Sequence, residues 1–401
     1  MSGPQNAKRR ILYVEGNVDG TIGGSFFSLL FLVTGLDRAR FEPIVVFAAP
    51  NSLLPRFHEA GIQTHVIPLA PSIRLPGLAR LIAKALNFMR GWVQEPARLA
   101  GILKRERIDL LHLNNSITRN HPWMIAARRA GIPCITHERG INDTFRPRER
   151  RLARSLDAVI CISSAVRANF IDHDLAHLPL VTIYNGLDPA QMRVTRDVVA
   201  VRAELDVPAN ARLIGIVGNI KPWKGQEVVL RAMGLLRERF PELVCVLIGD
   251  TSPHEVSYRD QMFELARELG IEAQVRITGF RSDVANYVNA LEIQIHASVS
   301  PEPFGRVLLE AMALSKPLAA SNGGAVPEIV QEKQTGLLFK PGDPRALADA
   351  LAYLLEDPAR AAAMGAAGRA RLDAEFSIAR NVQLTQQLYD QLFSKQPLTN
   401  S

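Results

Sequence analysis

Residues 212–230, RLIGIVGNIKPWKGQEVVL, decide the fold. An apolar run stops at Gly218, a short loop follows, and from Gln226 onward the apolar positions recur at helical spacing. That is a strand, a turn and a helix in succession. The unit recurs along the chain. RILYVEG, EPIVVFAA, HVIPL, IDLLHLN, PCITHE, AVICIS and VTIYNG read as strands in the first half. The pattern restarts with RLIGIVG, LVCVLIG, VRITG, IQIHAS, PLAAS and GLLFK in the second. Such near-continuous apolar runs fit parallel strands covered on both faces. Alternation with helical stretches such as 25–36 and 123–130 predicts an α/β, doubly wound architecture.

At 401 residues the chain is long for one core. The two similar halves predict two Rossmann-like domains facing a cleft, over 1–190 and 191–377, with the join near 189–195 after the Asn185-Gly186 turn. A last helix, about 378–395, can return to either half. The Ala-rich stretch 346–370 is helix with no evident chemistry. A net charge of +7 favours anionic partners. Nucleic acid is set aside, because no groove-reading motif accompanies the charge. Cys134, Cys161 and Cys245 each sit in an apolar run, as buried reduced thiols do, so a cytoplasmic location is expected. No signal peptide and no apolar run of transmembrane length is read.

Residues 301–317, PEPFGRVLLEAMALSKP, carry the strongest functional signal. Pro303 suits a first helical position. Phe304, Val307, Leu308, Ala311 and Met312 recur at helical spacing, and the helix start is a seat for a phosphate. At 1.5 Å per residue, Glu302 and Glu310 stand roughly 12 Å apart. A hydrolytic carboxylate pair needs roughly 5–10 Å, so these two suit different parts of one long anionic ligand. Lys224, at a loop-to-helix joint, can reach a phosphate, and Lys221 is a second candidate. Ser321–Gly324 after PLAAS allows close approach of a ligand to backbone. Glu328 caps or positions the next helix.

In the first half, Gly16, Gly20, Gly23 and Gly24 lie between a strand and a helix. Their spacing is not G-x-G-x-x-G, so a nicotinamide dinucleotide fingerprint is absent. His137 ends PCITHERG, at the strand end where open α/β sheets bind ligands, and Arg139 beside it can meet an anion. Asn114, Asn115 and Ser116 end another strand. Asp172-His173-Asp174 follows a helix and reads as a helix-end loop rather than a metal motif. No cluster has zinc spacing. The basic run 146–154 begins a helix and is either a solvated face or a phosphate site. The segment 72–107 carries Arg74, Arg80, Lys84, Arg90, Arg98, Lys104 and Arg105 before Arg107, with Leu78, Leu81, Ile82, Leu86, Phe88 and Met89 among them. It is either packed on the sheet or laid on an anionic membrane.

Taken together, VICISSAVRANF, VTIYNGLD, GIVGNIKPWKGQEVVLRAM, ITGFRSDV, SVSPEPFGRVLLEAMALSKPLAASNGGAVPEIV and TGLLF occur in the order found in a known family. The chain resembles the retaining glycosyltransferases of the GT-B fold, specifically family 4, glycosyl transferases group 1. The E-x7-E signature of that family is Glu302 to Glu310. The resemblance implies a UDP- or GDP-sugar donor, bound mainly by the second domain. Glu310 would take the ribose hydroxyls and Lys224 the diphosphate. Glu302 and the Phe304–Gly305 backbone would meet sugar and phosphate. Gly279, Phe280 and Arg281 would lie near the base. Gly23 and Gly24 would line the acceptor and phosphate side, and His137 would touch the donor sugar. Asn219 departs from the family, which usually has Arg after the strand glycine. A neutral amide cannot replace that charge, so either Lys221 compensates or the contact is weaker.

The expected reaction is transfer to an acceptor hydroxyl with retention, without a bound metal or other cofactor. The acceptor expected from the family is a lipid-linked saccharide or a cell-surface polysaccharide precursor, with peripheral membrane contact at the inner face. The alternatives are a nucleotide-sugar epimerase of the same fold and a non-catalytic nucleotide-sugar-binding module.

Overall fold

A computed structural model describes residues 8–17, 23–77, 79–251 and 256–396. Seven parallel strands form the first sheet: β1 Arg9–Glu15, β2 Phe41–Phe47, β3 Gln63–Val66, β4 Leu110–Leu113, β5 Cys134–Glu138, β6 Ala158–Cys161 and β7 Leu180–Thr182. Their order is β3-β2-β1-β4-β5-β6-β7. Six more form the second: β8 Arg212–Val217, β9 Leu243–Ile248, β10 Val275–Ile277, β11 Ile293–His296, β12 Leu318–Ser321 and β13 Leu337–Phe339, in the order β10-β9-β8-β11-β12-β13. Every apolar run read as a strand is one. Most are buried along nearly their whole length, as sheets covered on both faces require.

The chain divides into two units, Met1–Tyr184 with Ile378–Ser401, and Asn185–Ser377. The division falls a few residues before 189–195. The final helix, Ile378–Ser394, joins the first unit, where Val382, Leu388 and Tyr389 enter the core with Phe26, Phe41 and Leu29. Helix Gly24–Gly35 comes close to it. A Cβ on Gly35 would stand 2.8 Å from Val382 Cγ2.

In each sheet the strand order reverses once, between β1 and β4 and between β8 and β11. At such a switch point the following loops leave in opposite directions and open a crevice beyond the carboxyl ends of the strands. The strand-end loops at these two crevices carry most of the polar residues singled out in the sequence.

The segment 72–107 is helical from Ala79, but not uniformly. Helix Ala79–Met89 passes through a π-helical turn, Arg90–Gln94, into helix Glu95–Arg105. Asp172 ends helix Ser164–Asp172, and Asp174 follows with φ +57°, so the D-H-D run is a helix terminus. The basic run 146–154 is helix Pro147–Ala153, its start held by Arg146 N–H donating to Glu149 Oε2 at 2.8 Å. Among the described residues no group of His, Cys, Asp and Glu could hold a metal ion, and no helix is long and apolar enough to cross a membrane. Gly20 and Leu78 lie outside the described residues.

Candidate active site

In the second unit β8 ends at Val217, and Gly218 and Gly249, at the ends of β8 and β9, are both at positive φ. The chain then makes a short 3-10 turn, Pro222–Lys224, and reverses at Gly225, φ +76°, into helix Gln226–Leu236. Only glycine fits there. A Cβ on Gly225 would lie 1.9 Å from the Ala297 carbonyl oxygen. The 3-10 turn is tied to the loop after β11 by Val299 N–H donating to Trp223 O at 2.9 Å. This brings Lys224 and Glu302 together although 78 residues separate them.

Lys224 Nζ donates to Glu302 Oε2 at 2.9 Å. Ser298 Oγ donates to the same oxygen at 2.9 Å, and His296 Nε2 stands 3.3 Å from it. With its proton on Nε2, His296 accepts at Nδ1 from Ser321 Oγ, 3.3 Å away. The Lys224 ammonium also lies 4.0 Å from the centre of the Trp223 ring. Burial on its own would raise the Glu302 carboxyl. The His296 hydrogen bond and the Lys224 charge outweigh it and hold the pKa at about 2. The Glu302 backbone is clamped as well. Ala325 N–H donates to Glu302 O at 2.8 Å, and a Cβ on Gly324 would meet that oxygen at 2.2 Å.

One expectation is corrected here. Pro303 does not open a helix. The chain turns at Gly305, φ +89°, and the helix is Arg306–Ala313. Pro303 and Phe304 thus belong to the loop, and the helical-rise distance from Glu302 to Glu310 no longer applies. The reason is Gly305, which breaks the right-handed run and leaves the N–H groups of the following turn without a side-chain cap. Within the helix, Glu310 Oε1 stands 3.6 Å from Arg306 Nη2. Burial raises the Glu310 pKa, and Arg306 works against that rise.

The other expected residues lie around this cluster or apart from it. Asn219 is exposed, and its carbonyl accepts from the buried Gln226 Nε2 at 3.0 Å. Lys221 precedes the 3-10 turn. Gly279, φ +69°, bridges to Gly249 and so joins the strand ends. Phe280 is 79% exposed. Arg281 is engaged elsewhere, 3.0 Å from Glu204 and over the Tyr287 ring. Phe304 is buried and packs edge-on against Phe376.

In the first unit, helix Gly24–Gly35 begins after Gly23 with no side-chain cap. His137 lies one residue inside the end of β5 and is 1% exposed. Its Nδ1 is 3.1 Å from His112 Nε2. His112 Nδ1 is 2.7 Å from Tyr389 OH, and Tyr389 OH is 2.8 Å from Tyr13 OH. His137 Nε2 is buried without a partner among the described residues. Burial, then the nearby Arg139, push both imidazoles down, His112 to about 3. Neutral rings are therefore the resting state. At the ends of β1 and β4, Asn114 Nδ2 donates to Glu15 Oε2 at 2.7 Å, and Arg139 Nη2 donates to Asn114 Oδ1 at 2.7 Å. A cavity of about 400 Å³ opens beside them, lined by Gly16, Asn17, Arg119, Asn120 and Trp123.

Sequence reasoning missed His296, Ser298, Glu15 and Asn120. His296 carried the same signal as His137, a histidine at the carboxyl end of a strand, and IQIHAS shows it.

Two parallel Rossmann-type sheets, each with polar loops gathered at its switch point, define a GT-B fold. Residues 22–191 match the family described as "Glycosyltransferase Family 4", and residues 199–371 match "Glycosyl transferases group 1". The chain belongs to this family and is a glycosyltransferase. It is 29% identical over 381 residues to a D-inositol 3-phosphate glycosyltransferase of Kineococcus radiotolerans, covering 86% of each chain. It is 26% identical over 243 residues to the lipopolysaccharide core biosynthesis mannosyltransferase LpsB of Rhizobium meliloti, covering 60% of this chain and 67% of that one. The crystal structure of Anabaena Alr3699/HepE in complex with UDP-glucose superposes with a TM-score of 0.77 at 26% identity, over 95% of this chain and 99% of that one.

Proposed function

We propose that this chain transfers a sugar, with retention at the anomeric carbon, from a UDP- or GDP-sugar to an acceptor hydroxyl on a lipid-linked saccharide or cell-surface polysaccharide precursor. The observation that carries the reading is the Lys224–Glu302 pair, held by His296 and Ser298 at the switch point of the second sheet. A fixed ammonium beside an uncapped helix start is suited to the charge that develops on a leaving diphosphate. The Anabaena relative, solved with UDP-glucose, supports the donor class, and the lipopolysaccharide mannosyltransferase supports the acceptor class.

In this reading Lys224 and the N–H groups at Gly305–Arg306 stabilise the nucleoside diphosphate as it leaves, and no metal is called upon. Glu310 takes the ribose hydroxyls, Glu302 and the Phe304–Gly305 backbone meet the sugar, and Gly279, Phe280 and Arg281 flank the base. Lys221 and Asn219 edge the phosphate side. From the first unit, Gly23 and Gly24 meet the acceptor side and His137 offers its unpartnered Nε2 to a donor-sugar hydroxyl. The leaving phosphate oxygen accepts the acceptor proton on the face it vacates, which preserves anomeric configuration. On this reading transfer takes place in the cytoplasm, at the inner membrane face.

A thermal-shift panel of UDP, GDP, ADP and their sugars tests the donor. One base series is expected to raise the melting temperature in the wild type and to fail in Lys224→Ala. No shift with any nucleotide overturns the reading. Nucleoside diphosphate release that depends on added acceptor then establishes transfer.

A further inference from the structure

Residues 60–94 contain no Asp or Glu. Within them, helix Ala79–Met89 and the π-helical turn Arg90–Gln94 turn outward what most helices bury. Ala83 is the only buried residue of the two elements. Seven of the seventeen exposed large apolar residues among those described fall between Leu75 and Val93, with Leu81 at 68% and Ile82 at 59% exposure. Scattered apolar residues need no explanation, but a concentrated patch marks an interaction surface.

Beside the patch lies a cavity of about 700 Å³ whose lining includes Lys84, Phe88, Arg90, Trp92, His121 and Arg148. The π-helical turn sets Trp92 between Phe88 and His121, with ring centroids 5.9 and 5.0 Å away. The Arg148 guanidinium lies over both Phe88 and Trp92, at 5.3 and 5.8 Å. Among the described residues no carboxylate pairs with Lys84, Arg90 or Arg148. The carboxylate in the lining, Glu95, is held by Arg98 at 2.6 Å. The cavity thus carries uncompensated positive charge, and it opens against an apolar helix face.

We infer that this face docks on an anionic bilayer, with the cavity seating the phosphate headgroup of a lipid and Leu81, Ile82, Leu86 and Met89 entering the acyl boundary. A protein partner would meet an apolar centre largely cleared of charge. Here cations are interleaved with apolar residues along the whole helix, the pattern of an interfacial helix. Such docking would bring the enzyme to a lipid-linked acceptor, yet it depends on neither donor nor transfer.

The test is co-sedimentation of the full chain with vesicles of phosphatidylcholine alone and of phosphatidylcholine with phosphatidylglycerol. The wild type is expected to pellet with the anionic vesicles only and to be released by salt. Leu81→Glu with Ile82→Glu, both at exposed positions, is expected to stay in the supernatant. Lys84→Ala and Arg148→Ala each lower the partition about fivefold. Far-ultraviolet melting checks that each variant is folded. Docking is overturned if the wild type stays in the supernatant with both vesicles, or if the double glutamate variant pellets like the wild type. It is equally overturned if inorganic phosphate shifts the melting temperature while no vesicle binds, since the cavity then serves a soluble anion. Undiminished pelleting of the combined Lys84→Ala, Arg148→Ala variant overturns the headgroup seat.

Discussion

Two strand-end carboxylates, one in each unit, are both buried and are shifted in opposite directions. In the loop after β11, Glu302 is buried, yet its partners hold its pKa at about 2. At the end of β5, Glu138 is fully buried and its pKa is raised, although Ile117 N–H and Thr136 Oγ1 both donate to it. The difference lies in the partners. Glu302 has an ammonium at 2.9 Å, whereas Glu138 has neutral donors and one carboxylate oxygen with no partner among the described residues. For Glu138 burial outweighs its neutral donors, whereas for Glu302 the His296 hydrogen bond and the Lys224 charge act together and outweigh burial. In the loop after β11 a fixed ion pair thus stands where a diphosphate would need it. At the end of β5 the first unit offers neutral imidazoles, hydrogen-bonding groups of the kind that sugar hydroxyls pair with.

The comparison breaks first at Lys224. Lys224→Ala removes the lysine ammonium that donates to Glu302. Transfer is expected to fall roughly 10²–10³-fold, as for loss of one preorganised charge stabiliser. The fold should persist, because Lys224 contributes no core packing. Acceptor-dependent nucleoside diphosphate release measures this, and a wild-type rate would remove Lys224 from the mechanism.

The same substitution, Glu to Gln, should act with opposite sign in the two units. Glu302 falls from an ordinary 4.5 to about 2, so its charged form stabilises the fold above pH 4.5, by roughly 3 kcal/mol, and that contribution is lost between pH 4.5 and 2. Glu302→Gln should therefore be less stable than wild type at neutral pH and converge with it in acid. Glu138 is shifted upward. The unfolded chain ionises first as pH rises above 4.5, and wild type loses stability up to the folded pKa. Glu138→Gln should gain on wild type over that rise. Denaturant melts of the four combinations of site and pH decide it, and parallel behaviour of the two variants would falsify the contrast.

How legible was this in the sequence? All thirteen strands stood out as apolar runs, because parallel strands covered on both faces leave little room for polar residues. The pairing of Lys224 with Glu302 did not. It depends on the Gly225 turn meeting the Ala297 carbonyl, a contact between loops 72 residues apart that no local periodicity encodes. The helix start was misplaced for a related reason. Pro303 gives a strong local signal, and Gly305 overrode it through a left-handed turn. His137 was visible as a strand-end histidine, but its neighbours were not. Tyr389 comes from the last helix, 252 residues downstream, and reaches His137 only through His112.

That chain of groups sharpens the first unit's side of the comparison. Tyr389→Phe leaves His112 Nδ1 and Tyr13 OH without their shared partner in a fully buried site. The expected cost is about 1–3 kcal/mol of stability, the penalty for stranded buried polar groups. If the first unit's role is hydrogen bonding rather than charge, the loss of turnover should be far smaller than for Lys224→Ala. Melting temperature and kcat measured together separate the two effects.

The smallest expected change tests whether the charge at the second sheet's switch point is already sufficient. Asn219 is exposed at the loop after β8, and its backbone carbonyl is committed to Gln226. Asn219→Arg adds a guanidinium at the switch point without disturbing the Lys224–Glu302 pair. A screened charge at such an exposed position contributes less than about 1 kcal/mol. Donor KM should therefore fall by no more than about fivefold, with kcat unchanged, because the added charge meets the ground-state and leaving phosphate alike. A rise in kcat instead would mean that Lys224 alone leaves the departing diphosphate under-stabilised, and that the second unit's charge is still short of what the chemistry can use.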